Sequence, residues 1–291
     1  MEIFELKYFL AVAKVENVNK AADTIHVSAG SLSKAIARLE EELQTPLFFK
    51  SGRGIRLTPE GLLLKQKAAQ ILQLEEDTRL TLTGKEIGSF NVYISSEEIL
   101  QTSYGIKIAQ KIVNLYPSAK INFLIRPEEV AIGQVLDGEV HISIITSEPP
   151  ADVEYKTIAE VDFRTCASHS HPLLKKYSAK QTISVDEILK HSFVIPESAI
   201  LGRISKATSV DGWRDDKFPR QIKYKSCGLK VMENILQEGL ALGYLPNYFI
   251  EAAGLVPIKI SGCPYSCKQS VKIIAKDPSS LSWLNRVWDK F

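Results

Sequence analysis

Residues 19–48 contain two short amphipathic helical patterns that are separated by a tight turn. Asn19 is suited to N-cap the first helix and Ser28 the second, because their side-chain oxygens can accept a backbone N–H. The second pattern has apolar residues at helical spacing as far as Leu43, which predicts a buried face. This arrangement is typical of a helix-turn-helix, whose second helix enters the DNA major groove, but paired helices that bind no nucleic acid share it.

A short hairpin that follows the second helix favours the DNA-binding interpretation. Two apolar stretches flank Gly52-Arg53-Gly54, which predicts a wing with an arginine at its tip that is suited to a minor groove. A dinucleotide-binding loop is the alternative, but the segment lacks a third glycine and a preceding buried strand. The residues predicted to contact DNA are Ser28, Ala29, Gly30, Ser31, Ser33, Lys34, Arg38, Lys50 and Arg53.

The N-terminal part of the chain resembles the LysR-type transcriptional regulators of bacteria. The resemblance is carried by residues 6–13, Ala21-Ala22, His26-Val27-Ser28, residues 32–36 and 38–43, Pro46-Leu47-Phe48 and residues 52–61. It implies a sequence-specific DNA-binding regulator with a winged helix-turn-helix, a long dimerising linker helix and a two-lobed, periplasmic-binding-protein-like α/β effector domain. The implied partners are double-stranded DNA with two-fold symmetry, further copies of the chain as a dimer or tetramer, and a small effector, with RNA polymerase as a further candidate.

One departure from this family lies in the first turn of the second helix. Most relatives carry glutamine followed by proline there, whereas this chain has Ala29 and Gly30. The chain therefore lacks an amide that could hydrogen-bond to a base edge at this position. We expect weaker direct readout of the bases and more reliance on the wing and on DNA shape.

The segment after the hairpin predicts the linker helix. Thr58 can N-cap this helix with Pro59 in its first position, and apolar residues then recur in steps of three and four. The recurring residues are Leu64, Ala68, Ile71, Thr78 and Leu82, and Glu75 interrupts the series. We interpret them as the seam of a dimer; packing against the chain's own domain is the alternative. Residues 84–89 are the expected hinge.

The rest of the chain alternates strand-like and helix-like runs, which predicts an α/β fold. Strands are predicted at 91–94, 120–125, 141–145, 193–195, 222–224 and 242–245, with helices at 105–116, 128–136 and 229–237. The resemblance divides the chain into a DNA-binding head (1–58), a linker helix and hinge (59–88) and an effector domain (89–291), with lobe I at 89–162 and 267–291 and lobe II at 163–266. Strand order alone would suggest two consecutive lobes.

Ligands of open α/β sheets bind beyond the carboxyl ends of the strands, in the crevice between the two halves. The residues predicted to bind an effector there are Ser95, Ser96, Arg126 and Thr146 from lobe I and Pro196, Ser198, Ser226 and Cys227 from lobe II. The two lobe I serines precede a predicted helix start, which favours an anion, and Arg126 could pair with a carboxylate. We therefore expect a small anionic effector. The alternative is that the serines only cap the helix and that Arg126 is solvated.

The charge and hydrophobicity of the chain limit the partners and the compartment that we expect. The chain has 36 Lys and Arg residues against 34 Asp and Glu residues, so its bulk charge does not indicate a nucleic-acid partner. Its first residues are acidic, unlike a signal peptide, and no run reaches the roughly 18 apolar residues of a membrane span, so we expect a cytoplasmic protein without a membrane partner.

The sequence contains no signature of a metal site, cofactor or catalytic centre. His169 and His171 are closely spaced but have no cysteine cluster beside them, so we predict no metal. A small-molecule enzyme built on the two lobes is an alternative function, but it lacks a nucleophile motif. The four cysteines suit a reducing compartment as free thiols. A redox-sensing regulator that uses Cys263 and Cys267 is the other alternative, because these two cysteines, with Pro264 between them, could close a small loop.

Overall fold

A computed structural model describes residues 1–52, 54–83, 89–177, 181–199 and 209–291. The α-helices are α1 (Ile3–Val15), α2 (Val18–Ile25), α3 (Ala29–Leu43), α4 (Pro59–Thr83), α5 (Glu98–Leu100), α6 (Ile106–Leu115), α7 (Glu128–Leu136), α8 (Pro172–Lys176), α9 (Val185–Ile188), α10 (Leu229–Gln237), α11 (Asn247–Ala252) and α12 (Ser282–Trp288). The strands are β1 (Phe48–Ser51), β2 (Gly54–Leu57), β3 (Asn91–Ser96), β4 (Lys120–Ile125), β5 (Ile142–Ile145), β6 (Glu154–Ala167), β7 (Thr182–Ser184), β8 (Ser192–Pro196), β9 (Gln221–Ser226), β10 (Gly243–Pro246), β11 (Val256–Pro257), β12 (Lys259–Ser261) and β13 (Lys268–Ala275). A π-helical segment (Gln101–Gly105) joins α5 to α6, and a 3₁₀ turn (Pro278–Ser280) precedes α12.

The N-terminal head is a winged helix-turn-helix, as predicted. Helices α1, α2 and α3 bury Phe9, Leu32 and Leu39 completely, and the antiparallel pair β1–β2 forms the wing beside them. The turn between α2 and α3 passes through His26, which has a left-handed backbone (φ 56°) and ends α2. Arg53, at the predicted tip of the wing, lies outside the described residues.

The two helices of this motif begin with polar caps, but the first cap differs from the prediction. Asn17, not Asn19, caps α2, because its Oδ1 accepts a hydrogen bond from the backbone N–H of Lys20 at 3.0 Å. Asn19 therefore lies inside the helix. Ser28 caps α3 as expected, and its Oγ accepts from the N–H of Ser31 at 3.0 Å.

Helix α4 follows the wing and packs on the head. Thr58 caps its first turn, since its Oγ1 accepts from the N–H of Gly61 at 2.9 Å. Leu64, Ala68 and Ile71, which we assigned to a dimer seam, pack against the core of the head around Leu6 and Phe9. The alternative interpretation is therefore correct for these three residues, because the short head needs this face of α4 to complete its core.

The C-terminal part of the chain forms two α/β lobes that share one long strand. The residues of β6 from Glu154 to Asp162 pair with β13, and those from Phe163 to Ala167 pair with β10 and β11. The chain returns beside this crossing, where the N–H of Phe163 donates to the carbonyl of Cys267 at 3.0 Å. This double crossing agrees with the arrangement implied by the family resemblance and differs from the consecutive lobes that strand order alone suggests.

Lobe I is a sheet with the strand order β6-β13-β5-β3-β4, in which β3, β4 and β5 are parallel. One face of this sheet packs on α6 through Val92, Ile94 and Ile112, which are fully buried. In lobe II, β8 and β9 pair in parallel, and a bridge between Phe193 and Leu242 connects them to the residues at the start of β10. The predicted strands are therefore present, whereas β6 and β13 were not among them.

Contacts between α4 and lobe I fix the linker helix on the effector domain. The buried carboxylate of Asp77 accepts hydrogen bonds from the N–H (3.1 Å) and the hydroxyl (2.8 Å) of Ser282 at the start of α12. Gln66 donates to Asp137, and Gln73 donates to the carbonyl of Gly138. Helix α4 thus lies between the head and lobe I and contacts both. Of the predicted hinge, residues 84–88 lie outside the described part of the chain.

A buried ion cluster lies in lobe II. The guanidinium of Arg220 is completely buried and pairs with Asp211 at 2.6 Å and with Asp215 at 2.7 Å. It also lies 5.3 Å from the ring centroid of Phe193 and 5.4 Å from that of Trp213. Burial without these carboxylates would be very costly for a charged group, so the cluster fixes the segment that leads into β9.

In the part of the chain that the structure describes, no helix is both long and apolar enough to cross a membrane.

Candidate DNA-binding and effector-binding sites

The outward face of α3 is small, polar and open. Ala35, Ile36 and Leu39 face the core of the head, which leaves the other side of the helix at the surface. The predicted contact residues on that side are Gly30, Ser31, Ser33 and Lys34, all of them exposed, with Ala29 half-buried beside them. A Cβ added at Gly30 would meet only the Oγ of Ser28, at 4.0 Å, so the first turn of α3 could approach another surface closely.

The two cations of this face differ in their surroundings. Arg38 pairs with Glu5 at 3.1 Å and lies 5.6 Å from the ring centroid of Phe4, so α1 holds its guanidinium. Lys34 has no side-chain partner within the described ranges and is exposed. Of the two, Lys34 is therefore the better placed to reach a phosphate or a base, and Arg38 has a structural contact in addition to its predicted role.

The wing presents further groups beside α3. Lys50 is exposed on β1, as expected. Phe49 and Arg56 are opposite each other in the β1–β2 register and are also exposed. Neither was among the predicted contact residues, although the alternation of the hairpin would place them on one face. The wing therefore presents a cation, Arg56, and an aromatic ring, Phe49, in addition to the arginine predicted at its tip.

The residues predicted to line the crevice lie at or just after the carboxyl ends of β3, β4, β5, β8 and β9, and most of the serine hydroxyls among them are already bonded. Ser95 and Ser96 are fully buried; the Oγ of Ser95 donates to Gln134 at 2.9 Å and that of Ser96 donates to the carbonyl of Glu97. In lobe II, the Oγ of Ser226 donates to the carbonyl of Gly228 and also accepts from its N–H. These three hydroxyls therefore stabilise strand ends.

Two carboxylates occupy the backbone donors at the end of lobe I. Glu128 is buried, and its Oε2 accepts from the N–H of Thr146 (2.7 Å) and from the hydroxyl of Thr146 (2.9 Å). Its Oε1 accepts from the N–H of Ser147 at 3.1 Å, while Glu97 accepts from the N–H of Glu128 at 3.2 Å. Burial raises the pKa of Glu97, although the hydrogen bond from the N–H of Glu128 partly offsets this effect. The N–H groups of Glu128, Thr146 and Ser147 are thus used by the protein itself, whereas no side chain caps the helix start that follows Ser95 and Ser96.

The remaining predicted residues of lobe II meet through strand pairing. Pro196 and Ser226 are partners in the parallel register of β8 and β9, and both are buried. Ser198 and Cys227 follow these strand ends and are exposed. The four predicted residues of this lobe therefore lie at one end of the β8–β9 pair.

An aromatic pair that the sequence did not reveal joins the lobes. Tyr104, in the π-helical segment after β3, contacts Tyr248 at the start of α11, with ring centroids 5.2 Å apart and planes at 73°. The hydroxyl of Tyr248 is buried and has no hydrogen-bond partner among the described residues. The two tyrosines are far apart in sequence, so no local pattern could have paired them.

Arg126 lies in a different place from the one we predicted. Its guanidinium donates to the carbonyl of Ile125 at 2.8 Å and lines a groove between the head, α4 and lobe I. Because β4 is the edge strand of the sheet, a side chain just after it can turn towards this groove. The predicted pairing of Arg126 with an effector in the crevice therefore has no support from the side chain's position.

Family models match both parts of the chain. The model for the bacterial regulatory helix-turn-helix protein of the lysR family matches residues 3–62, and the model for the LysR substrate binding domain matches residues 92–277. The chain belongs to the LysR family. It is therefore a DNA-binding transcriptional regulator with a C-terminal effector-binding domain.

Individual relatives agree with this assignment. The chain is similar to the HTH-type transcriptional regulator GltR of Bacillus subtilis, with 31% identity over 184 residues, which cover 62% of each chain and thus less than two thirds of that relative. Its fold resembles a full-length OxyR variant from Pseudomonas aeruginosa, with a TM-score of 0.66, 19% identity and coverage of 99% of this chain and 92% of the other. It also resembles full-length CbnR complexed with its target DNA, with a TM-score of 0.58, 21% identity and coverage of 100% and 99%. At these identities the two structures show the fold alone.

The cysteines of this LysR-family member are free thiols in the structure. Burial raises the pKa of Cys267 to about 11, and burial also raises the pKa of Cys166. A cysteine that reacts with peroxide needs the opposite shift, since the thiolate is the nucleophile. Burial therefore disfavours Cys267 as the thiol that reacts first with peroxide.

His171, one of the two histidines that were considered as metal ligands, has other contacts. The Nδ1 of His171 accepts from the N–H of Leu173 at 3.1 Å, and its ring contacts that of His191. Burial, with a smaller effect of His191, lowers the pKa of His171 to about 4. Among the described residues, no group of three His, Cys, Asp or Glu side chains could hold a metal ion.

We expect His141 to make the stability of lobe I depend on pH. Its ring is buried between Tyr93 and Trp283, its Nδ1 accepts from the N–H of Tyr93, and burial lowers its pKa from 6.5 to about 4. Because the unfolded chain then binds the proton more tightly, the contribution of neutral His141 is complete above pH 6.5 and is lost as the pH falls towards 4.

Denaturant titrations of the wild type and the His141→Asn variant over this pH range measure the effect. His171 contributes a similar dependence in both proteins, so the difference between their slopes isolates His141. Identical slopes would contradict the prediction.

Proposed function

We propose that this LysR-family regulator binds a promoter site of two-fold symmetry as a dimer or tetramer, and that a small effector between its lobes changes this binding. The observation that supports the DNA contact is the outward face of α3, where Lys34 has no described partner and Gly30 leaves room for close approach. Such a regulator acts in the cytoplasm, where its DNA and RNA polymerase are found.

Footprinting on the DNA upstream of the chain's own gene tests this proposal. We expect a protected site made of two related half-sites about one helical turn, or a multiple of it, apart. Because α3 carries Ala29 and Gly30 in its first turn, base preference should be moderate and spread over the flanking, wing-contacted positions. Protection that is independent of sequence would argue against a specific regulator.

We propose that the effector offers hydrogen-bond donors to the lobe I side of the crevice. This proposal is supported by the carboxylates of Glu97 and Glu128, which lie at this side and accept from the N–H groups of Glu128, Thr146 and Ser147, and by the position of Arg126, which lines another groove. A thermal-shift screen of small amines, amides and carboxylates tests the class, because a ligand of the folded state raises its stability.

A second candidate function, that of a small-molecule enzyme, is not supported by the side chains of the crevice. The hydroxyls of Ser95 and Ser226 are bonded to Gln134 and Gly228 and not to a general base. A nucleophilic serine needs such a base within hydrogen-bond distance. We therefore propose that the chain is not an enzyme.

We propose that two copies associate through the face of α4 that carries Leu63 and Leu74. Their exposed fractions are 59% and 54%, and they lie eleven residues, or about three turns, apart on the same face. This face is adjacent to the face with Leu64, Ala68 and Ile71, which packs on the head. Helix α4 can therefore contact its own head and a second copy at the same time. A two-fold DNA site needs a two-fold protein.

Leu74→Glu is expected to convert the dimer into a monomer at micromolar concentration. The substitution places a charge in a helix–helix contact and should raise the dissociation constant of the dimer at least about tenfold. Light scattering coupled to size exclusion measures the mass. Leu240→Glu is the matched control, since Leu240 is a similarly exposed leucine (52%) in lobe II. Equal masses for both variants would exclude this face.

A further inference from the structure

The groove that contains Arg126 is a separate cavity from the crevice between the lobes. It lies between α1 and α4 on one side and the β3–β4 face of lobe I on the other, and its volume is about 980 Å³. This volume falls within the range of small-molecule sites. Apolar side chains such as Leu10, Leu72 and Leu124 form part of its surface.

The groove is positively charged. Within the described part of the chain, its lining has five cationic side chains and three carboxylates. The cations are Lys7, Lys14, Lys65, Arg79 and Arg126, and the carboxylates are Glu75, Glu76 and Glu139. His141 also lines the groove and is neutral, because burial lowers its pKa.

The carboxylates of the groove already have partners. Lys65 pairs with Glu139 at 2.7 Å. Glu75 pairs with Arg79 and lies 3.9 Å from Lys7. Glu76 accepts a hydrogen bond from the N–H of Asn91 at 3.2 Å. Lys14 and Arg126 form no ion pair with any described carboxylate, and the five cations and three carboxylates leave the lining with a net charge of +2.

These two cations come from different parts of the molecule. Lys14 belongs to the last turn of α1 in the head, whereas Arg126 follows β4 in lobe I. Both are exposed. Arg126 uses one Nη to hold the carbonyl of Ile125, and its other N–H groups have no partner among the residues described. A planar guanidinium with free donors matches a carboxylate or a phosphate, and a lysine adds a point charge.

We infer that the groove between the head, α4 and lobe I binds a small dianion, with one oxyanion group on Arg126 and the other on Lys14. The shared chemistry of the ligand is two anionic oxygen groups, as in a dicarboxylate or a phosphate ester. This site is distinct from the crevice at Ser226 and Glu97 and does not depend on an effector there.

Such a ligand would join the head to the effector domain. The direct contacts between α4 and lobe I, at Gln66, Gln73 and Asp77, already hold this arrangement, and a bridge from Lys14 to Arg126 would stabilise it further. A dianion that favours one position of the head must also change the affinity of the protein for DNA. Because coupling between two sites is reciprocal, DNA changes the affinity for the dianion by the same factor.

Isothermal titration of the full chain with succinate, glutarate and adipate, and separately with inorganic phosphate, tests the inference. We expect at least one of these probes to bind the wild type and to bind the Arg126→Gln and Lys14→Gln variants at least tenfold more weakly. Lys120→Gln is the matched control: Lys120 is exposed at the start of the strand that precedes Arg126, carries the same charge and does not line the groove. Its affinity should equal that of the wild type.

Each outcome of these titrations either supports the inference or overturns it. If inorganic phosphate is the only probe that binds, and both groove variants lose this binding, the site is supported and its ligand is a phosphate and not a dicarboxylate. Absence of binding by all four probes, or equal affinity in the wild type and both groove variants, overturns the inference. Neither result changes the footprint that is expected on the upstream DNA, so the proposed regulatory function is tested independently of this inference.

Discussion

The Lys34→Glu variant is expected to bind the regulator's promoter site roughly 100-fold more weakly than the wild type at about 0.1 M salt. Lys34 is exposed on the open face of α3, has no described partner and would be present twice in a dimer, once for each half-site. The substitution removes two cationic contacts and adds two repulsive charges near the phosphates. The dependence of affinity on salt should also decrease, because fewer counterions are released on binding.

Gel shifts over a range of salt concentrations measure both effects. Lys175→Glu is the matched control, because Lys175 is an exposed lysine on α8 in lobe II and the change in net charge is identical. If the control lost as much affinity as Lys34→Glu, net charge and not the position on the recognition helix would explain the loss.

Arg220→Met is expected to lower the free energy of unfolding by roughly 3–5 kcal/mol, the usual effect of removing one member of a buried ion pair. The guanidinium is completely buried, and its removal leaves Asp211, itself buried, without a counter-charge. The ring contacts with Phe193 and Trp213 are lost as well. Because Phe193 belongs to β8 and Arg220 directly precedes β9, lobe II should unfold first.

Urea titrations followed by tryptophan fluorescence measure this effect, since Trp213 lies in the cluster. Arg214→Met provides the comparison: Arg214 pairs with Asp216 near the surface, where water replaces the lost partner, so that variant should unfold close to the wild type. A triple variant that also replaces Asp211 and Asp215 by asparagine should recover part of the lost stability. No difference between Arg220→Met and Arg214→Met would show that the cluster is not the basis of the stability of lobe II.

The DNA-binding head could be predicted from the sequence because its signals are local. The spacing of Leu32, Ile36 and Leu39 determines which face of α3 is buried, and Ser28 caps the helix within three residues. The error at Asn19 has a simple cause, since Asn17 and Asn19 are both good caps. Val18 packs in the core of the head, and this tertiary contact begins the helix one residue after Asn17.

The crevice between the lobes could be predicted only in part. The strand ends converge as parallel strands must, so Ser96, Thr146 and Pro196 were assigned to the correct ends. Glu97 and Glu128 reach N–H groups at the strand ends because of the order in which β3, β4 and β5 lie side by side. The local sequence does not show this order. For the same reason, neither the turn of Arg126 towards the head nor the contact between Tyr104 and Tyr248 could be anticipated.

The capping of α12 by Asp77 determines which parts of the molecule can move together. Through this contact, the C-terminal helix, lobe I and the linker helix form one mechanical unit, to which lobe II is attached by two neighbouring strands near Phe163 and Lys268. In the effector binding proposed above, closure of the lobes would then be a movement of lobe II against a unit that includes the linker helix.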